Sequence, residues 1–361
     1  MVPMPFYQDI DPKAEYSPRL LDRLLALRRQ LDQEIPARTQ AETLLLATWN
    51  IREFDSPAYG PRLPEALYYI AEIIARFDLV AVQEVRRDLE ALKRLCVILG
   101  GHWKYLITDV TEGDRGNDER MAFLYDTRKV SFGGLAGQLV LPPLRLKDEN
   151  GKTVYQPVSQ IARTPFMCGF QAGWTRFVLA TIHILYGNSS ANDPERVEEI
   201  RQVAQSLRSQ ALDKHAWAHN FILLGDFNIF APQDSTMQAL TEAGFIVPPK
   251  LQNLPSNIPQ TKYYDQIAFR VRDEHFATAN QGGIFNYYKT VFRPEDEAVY
   301  VPYMGKSYHF TSSNQPRQDK SAYYLNYWRT HQMSDHLPMW VELRIDYSDD
   351  YLRRKLQAAD A

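Results

Sequence analysis

The stretch Phe221-Ile222-Leu223-Leu224-Gly225-Asp226-Phe227-Asn228 limits what this chain can become more than any other. Four consecutive apolar residues read as a buried strand. A glycine ends the strand, and a carboxylate and an amide follow two residues apart. Asp226 can hold a hard cation through oxygen, and Asn228 can donate to a phosphate oxygen or lend its carbonyl.

Three further apolar runs carry the same chemistry at their ends. Leu44-Leu45-Leu46-Ala47-Thr48-Trp49 ends in the amide of Asn50, and Leu79-Val80-Ala81-Val82-Gln83 ends in the carboxylate of Glu84. Ser334-Asp335-His336 precedes the strand-like run Leu337 to Leu343. Any one of these polar residues reads singly as a turn or cap residue. Oxygen ligands repeated at four strand ends point to a shared site, because α/β and sandwich folds build their sites there.

Between these runs the pattern alternates. The hydrophobic spacing predicts helices near 64–76, 88–99, 194–212 and 234–242, with the helix from Pro194 to Leu212 the longest. It predicts strands at 43–49, 78–83, 103–107, 120–125, 136–141, 165–171, 174–182, 219–224, 263–269 and 337–344. Gln171-Ala172-Gly173 is a hairpin-turn candidate, and 142–164 reads as a long surface loop. Ser17 to Gln33 reads as an amphipathic helix, with Ser17-Pro18 as cap and first-turn proline. It is expected to pack on the body as an appendage; a partner-binding helix is the other reading. The organisation expected is an extension over 1–42, a main domain over 43–345 and a charged tail over 346–361.

Composition narrows the function classes only slightly. A net charge of −3 gives no global nucleic-acid signature, although a local basic rim with bound cations can offset it. Cys96 and Cys168 lie in apolar surroundings and read as buried free thiols. The N-terminus has no basic start or apolar core, and no run reaches membrane-spanning length, so the chain is expected to be cytoplasmic. The segment 275–330 stands apart, because it is dense in aromatic residues interleaved with Lys and Arg. That mixture suits single-stranded bases or a phosphate rim, and it equally suits rings that simply pack an insertion onto the body.

Two histidines add acid–base capacity. His183 ends the run Thr181-Ile182, and His336 follows Asp335 directly; both types of position suit proton transfer near neutral pH. Glu119 and Asp265 are the candidate carboxylates that would each orient one imidazole.

Taken together, these motifs make the chain resemble the endonuclease/exonuclease/phosphatase superfamily, most closely its deoxyribonuclease I branch. Gln83-Glu84-Val85-Arg86 resembles that branch's Gln-Glu-Val-Arg. Glu119-Arg120 with Phe123-Leu124-Tyr125 resembles its Glu-Arg-x-x-Phe-x-Tyr strand, and Arg163-Thr164-Pro165 its Arg-Glu-Pro. Gly225-Asp226-Phe227-Asn228 and Ser334-Asp335-His336 are similar to superfamily hallmarks, as is Thr261 with Tyr264-Asp265. The resemblance implies an α/β fold, a four-layer α/β sandwich of two packed mixed β-sheets with helices outside. It also implies a divalent-cation-dependent phosphodiesterase, a nuclease acting on DNA.

Carried over residue by residue, the resemblance makes Glu84 the principal metal ligand, with Asn50 and Asp335 near the same ion. Asp226 and Asn228 would bind a second ion or orient the phosphate and nucleophile. His336, held by Asp265, would be the general base; His183, held by Glu119, would assist the leaving oxygen or steady the phosphate. Arg163 would neutralise a phosphate oxygen, and Asn228 and Asn50 would also face it. Oxygen ligands favour Mg²⁺, Mn²⁺ or Ca²⁺ over zinc. Asn117 stands where the nuclease branch has a tyrosine, and the branch's disulfides have no counterpart; both departures weigh against a duplex preference. The alternative within the superfamily is a lipid or small-molecule phosphoesterase, similar to sphingomyelinases or phosphoinositide phosphatases. Ile229-Phe230 after Asn228 argues against the inositol phosphatases, which carry Tyr-Arg there.

Overall fold

A computed structural model describes residues 5–54, 56, 60–272 and 278–359. Two mixed sheets lie face to face. The first holds β1 (Thr43–Phe54), β2 (Leu79–Arg86), β3 (Trp103–Ile107), β4 (Glu119–Asp126), β12 (Thr278–Ile284) and β13 (Met339–Arg344), in the order β12-β13-β1-β2-β4-β3. The second holds β5 (Val130–Gln138), β8 (Phe166–Ala172), β9 (Thr175–His183), β10 (Phe221–Asp226) and β11 (Asp265–Arg270), in the order β11-β10-β9-β8-β5. A separate hairpin pairs β6 (Leu144–Lys147) with β7 (Thr153–Gln156).

Period-two alternation sorts the side chains into two cores. Leu44 and Leu46 of β1 face the second sheet, in one cluster with Phe123, Phe170 and Leu179. Leu45, Ala47 and Trp49 face the opposite way, toward α2 (Pro64–Ala75) and α3 (Glu90–Leu99). On the far side, Ile200, Val203 and Leu207 of α4 (Pro194–Leu212) join the first cluster, as does Leu240 of α5 (Ser235–Glu242). Sheets inside and helices outside give the expected layering. Among the described residues, no helix is long and apolar enough to cross a membrane.

The N-terminal helix α1 (Ser17–Glu34) lies on α2, where Arg19 Nε pairs with Glu65 Oε2 at 3.0 Å. Its cap differs from the expectation. Ser17 lies inside the helix and its hydroxyl turns back to the Asp11 carbonyl at 2.5 Å, so it cannot cap the first turn. Behind α1, Arg38 spans Asp78 Oδ1 at 2.6 Å and Asp126 Oδ2 at 2.7 Å, while Lys129 Nζ pairs with Asp78 Oδ2 at 2.9 Å. This buried ion cluster ties the extension to the entry of β2 and the exit of β4.

Three other expectations need correction. The strand expected at 136–141 runs instead over Val130–Gln138, because its pairing with β8 starts at Val130↔Ala172. The expected loop 142–164 contains the β6–β7 hairpin, whose residues are almost all exposed and so carry no hydrophobic period to read. The expected insertion begins with an edge strand, since β12 pairs with β13 from Thr278↔Leu343 to Ile284↔Met339; its first residues, 275–277, lie outside the described residues. The charged tail forms a helix, Ser348–Ala359, with no buried residue. Cys168 is buried and Cys96 half-buried, and both are free thiols.

Candidate active site

Strand register delivers the polar strand ends to one place. Asp226 pairs across β10 with His183 of β9 on one side and with Asp265 of β11 on the other. In the first sheet, Asn50 pairs with Gln83 and Arg86 with Glu119. Gln83 closes the gap between sheets: its buried Nε2 donates to Thr181 Oγ1 at 2.8 Å.

Two local backbone features aim these side chains. Gly225 sits at φ +133°. A Cβ there would collide with the Ile182 backbone on the neighbouring strand, so only glycine allows β10 to pass this close to β9. Between Val82 and Val85, β2 places two residues opposite one on β4. The extra residue makes a bulge, which re-aims a side chain. Glu84 lies in it at φ +62°, a left-handed conformation that a non-glycine residue adopts at a cost.

At the centre, Asp226 Oδ2 lies 3.5 Å from His183 Nε2, 3.6 Å from His336 Nε2 and 3.1 Å from the donating Asn50 Nδ2. Its other oxygen accepts the Asn228 backbone N–H at 2.9 Å. Each histidine has its own carboxylate behind it. Glu119 Oε1 lies 2.6 Å from His183 Nδ1, and Asp265 Oδ2 lies 2.7 Å from His336 Nδ1. Asn50 Nδ2 also donates to Glu84 Oε1 at 2.9 Å, and the Glu53 backbone N–H donates to Glu84 Oε2 at 2.8 Å.

The charges follow from this packing. Burial alone would favour neutral imidazoles. The Asp265 and Asp226 carboxylates override it at His336, and Glu119 does so at His183, so both rings hold their proton above the ordinary histidine range. Burial likewise opposes ionisation of Glu119, but the facing His183 wins and lowers its pKa. Glu84 is pushed up, by burial first and by the neighbouring Glu119 and Asp335 charges after His183 is counted.

A hard cation fits the oxygens that remain. Among the described residues, Asn50 Oδ1 is buried with no hydrogen-bond partner, while the amide nitrogen is fully engaged. An orphaned buried acceptor is costly, and a divalent cation is a partner such an oxygen takes. Glu84, Glu119 and His183 each bring one ligand atom within 4.8 Å of the others. Glu84 belongs both to this group and to the set expected from the sequence. Glu119 already faces His183 and Arg163.

Two expected residues have ion-pair partners of their own. The Asp335 side chain is 44% exposed and leans on Arg52, with Nε to Oδ2 3.8 Å. Arg163 Nε contacts Glu119 Oε1 at 2.8 Å and its Nη1 donates to the Ile184 carbonyl at 3.2 Å, so the guanidinium braces the His183 side of the site. Asn228 donates Nδ2 to that same Ile184 carbonyl at 2.7 Å.

Several supporting residues escaped the sequence reading. The Ser256 hydroxyl donates to Asp265 Oδ2 at 2.6 Å. Ser334 Oγ donates to the Asn50 carbonyl at 2.6 Å, and Trp49 Nε1 donates to the His336 carbonyl at 3.0 Å. The Tyr287 hydroxyl lies 2.9 Å from each of the Ser334 and His336 carbonyls, and the Tyr288 hydroxyl also reaches Ser334. Tyr264, next to Asp265 in sequence, sets its ring 5.5 Å from the His336 ring. Tyr264 and Ser334 carried a signal, through their places in Tyr264-Asp265 and Ser334-Asp335-His336, although their supporting contacts did not.

Comparison with known proteins bears on the family and the fold. A model described as the Endonuclease/Exonuclease/phosphatase family matches residues 47–347. A protein named Deoxyribonuclease from Thioalkalivibrio sp. (strain K90mix) is 30% identical over 216 residues, which are 58% of this chain and 53% of that protein. The chain therefore spans about half the length of that curated relative. Among solved structures, D. rerio TDP2 complexed with single strand DNA product aligns with a TM-score of 0.51 at 12% identity, over 83% of this chain and 98% of that one. A functionally unknown conserved protein from Enterococcus faecalis V583 aligns with a TM-score of 0.50 at 17% identity, over 83% and 99%. At such identities the two structures speak for the fold alone.

Proposed function

The chain belongs to the endonuclease/exonuclease/phosphatase family, whose members hydrolyse phosphoester bonds with divalent metals, and from that premise we propose that it is a phosphodiesterase cleaving DNA with a histidine-activated water. The observation that carries this reading is the single Asp226 carboxylate set between two imidazoles, each backed by its own buried carboxylate. Hydrolysis of a diester needs a base on the attacking side and a proton source or cation on the leaving side. The two histidine–carboxylate pairs are suited to these two tasks.

In this mechanism Asp265 fixes the His336 tautomer through Nδ1 and leaves Nε2 to take the proton of water. Asp226, beside both Nε2 atoms, orients the nucleophile and steadies the imidazolium that forms. His183, held by Glu119, hydrogen-bonds a phosphate oxygen or the leaving oxygen. Asn228 is held rigid by its bond to Ile184 and faces the phosphate with Asn50; Arg163 adds positive charge on the His183 side. Glu84 and the orphaned oxygen of Asn50 would hold the divalent cation, Mg²⁺ or Mn²⁺ in preference to Ca²⁺, with Asp335 and Asp226 near it. When bound, that cation neutralises phosphate charge and offsets the carboxylates that keep the rings protonated.

The deoxyribonuclease relative supports nucleic acid as the substrate, within the half of that protein that the chain matches. Incubation with plasmid, linear duplex, single-stranded DNA and RNA tests the reading, each with Mg²⁺ or Mn²⁺ and with chelator. Metal-dependent loss of intact DNA is expected. Turnover confined to a phosphomonoester or to a lipid phosphodiester in the same panel would replace it with the alternative phosphoesterase.

A further inference from the structure

The aromatic insertion divides into two halves with different fates. Tyr287, Tyr288, Phe292, Tyr300, Tyr324 and Trp328 are buried in the core outside the first sheet. They answer the packing expectation. The other half lines an open cavity of about 880 Å³, where Tyr323, Tyr327 and Phe310 meet Lys306, Arg317 and Asn326.

Arg52 links this cavity to the neighbourhood of His336. The Arg52 guanidinium lies 5.7 Å over the Tyr327 ring, and its Nε is 3.8 Å from Asp335, the neighbour of His336. Arg52 follows Asn50 by two residues on β1. Tyr327 is 41% exposed, has the His331 ring at 4.7 Å and stacks at 5.4 Å on Tyr323, whose other neighbour is the Arg317 guanidinium at 4.1 Å. Arg317 is fixed in turn by donating to the Ser307 and Phe310 carbonyls at 3.1 Å and 3.3 Å. The cavity thus offers a preset ring stack, with the exposed Lys306 and an exposed amide at its wall.

We propose that this cavity is a subsite for an unpaired nucleotide flanking the scissile phosphate, with its base packed against Tyr327 where that residue lines the cavity and its backbone drawn by Lys306. The chemistry selects the ligand. Aromatic side chains take up a base only when that base is free of its partner strand, and cations beside them follow the sugar–phosphate backbone. A duplex keeps its bases stacked inside and cannot present one to Tyr327. The inference rests on the nuclease reading and assigns it a single-stranded or locally opened substrate.

Anisotropy of a fluorescein-labelled oligothymidylate of about 12 nucleotides, with a blunt hairpin duplex for comparison, tests it on the full chain in EDTA. Tyr327→Ala should weaken strand binding roughly tenfold, the loss of about one base–ring contact, and Tyr327→Phe should restore it. Lys306→Gln should weaken it severalfold and lower the salt slope by about 0.7. Hairpin affinity should stay within about twofold throughout. No measurable binding of the strand by the unmodified chain, or equal changes on strand and hairpin, overturns the proposal. Should Tyr327→Ala melt early, Lys306→Gln, a change at an exposed side chain, decides the matter. Intact strand binding without hydrolysis of any nucleic acid would overturn the catalytic reading and uphold the subsite.

Discussion

Asp265 offers one oxygen, Oδ2, to His336 Nδ1 at 2.7 Å, and the same oxygen accepts the Ser256 hydroxyl at 2.6 Å. The carboxylate is therefore locked on one side while it orients the imidazole on the other. That makes the pair a single unit whose parts fail differently.

His336→Ala removes the base and should lower kcat by about 10²–10⁴-fold with folding unchanged. Circular dichroism and steady-state turnover of a chromogenic diester check both halves of that statement. Undiminished turnover would show that another group activates water.

Asp265→Asn keeps the shape and removes the charge that raises the His336 pKa. The sign is definite. With less negative charge beside it the ring loses its proton at lower pH, so the neutral, base-competent form appears at lower pH. The acid limb of the kcat/KM profile should move toward acid while the maximum rate falls. A limb that stays in place would separate Asp265 from the titration of His336.

Glu84→Gln should raise the Mg²⁺ concentration needed for half-maximal activity by tenfold or more, since losing even a group that only supports a ligand costs about 10–100-fold. Its melting temperature without metal should change little or rise, since burial already opposes the Glu84 charge. An unaltered cation requirement would remove Glu84 from the ligand set.

How much of this could be read beforehand depends on what each residue reports. The runs ending at Asn50, Glu84 and Asp226 were legible because buried strands are apolar and their polar ends interrupt a strong pattern. Their convergence is a matter of register, in which Asp226 pairs with both His183 and Asp265; the motif resemblance supplied it and periodicity did not. The Glu84 bulge was illegible, because nothing in Val82-Gln83-Glu84-Val85 marks an extra residue. Ser256 was illegible as well, since its partner Asp265 is nine residues away through an irregular loop. The aromatic insertion carried two readings at once because composition does not record burial, and Tyr324 and Tyr327 differ only in which way they face.

The Arg38–Asp78–Asp126 cluster sets an acid limit on stability. Burial alone would raise the Asp126 pKa. Hydrogen bonds from Arg128 and Arg38 overcome this and hold it at about 2, against an ordinary 3.8. A lowered folded-state pKa adds stability that is complete above about pH 4 and is lost as pH falls toward about 2. The shift corresponds to on the order of 2 kcal/mol. Urea midpoints measured from pH 5 downward should fall in that window, and in Asp126→Asn the fall should be smaller. Parallel curves for the two proteins would place the acid sensitivity elsewhere.

Gly225→Ala tests whether close strand approach builds the site. The new Cβ would meet the Ile182 backbone, and φ +133° is strained for any L side chain. Destabilisation of more than about 1 kcal/mol is expected, with activity lost beyond what stability explains, because β10 would move away from β9 and carry Asp226 from His183. Full activity in the folded fraction would mean that the Asp226–His183 spacing tolerates this shift.

Tyr287→Phe asks whether the insertion serves chemistry as well as packing. The ring, 5.4 Å from Trp49, would stay in place. The hydroxyl that reaches the Ser334 and His336 carbonyls would be gone. Those carbonyls form the turn that presents His336, and each would lose one of its two donors, a hydrogen bond being worth about 0.5–1.5 kcal/mol. Because Trp49 Nε1 still donates to the His336 carbonyl and the Tyr288 hydroxyl to the Ser334 carbonyl, the turn should loosen without unfolding. A drop in kcat of roughly tenfold with KM unchanged is therefore expected, since about 1.4 kcal/mol of misplacement felt only in the transition state has that effect. A rise in KM alone would instead tie Tyr287 to substrate binding, and no change in either constant would reduce it to a packing residue.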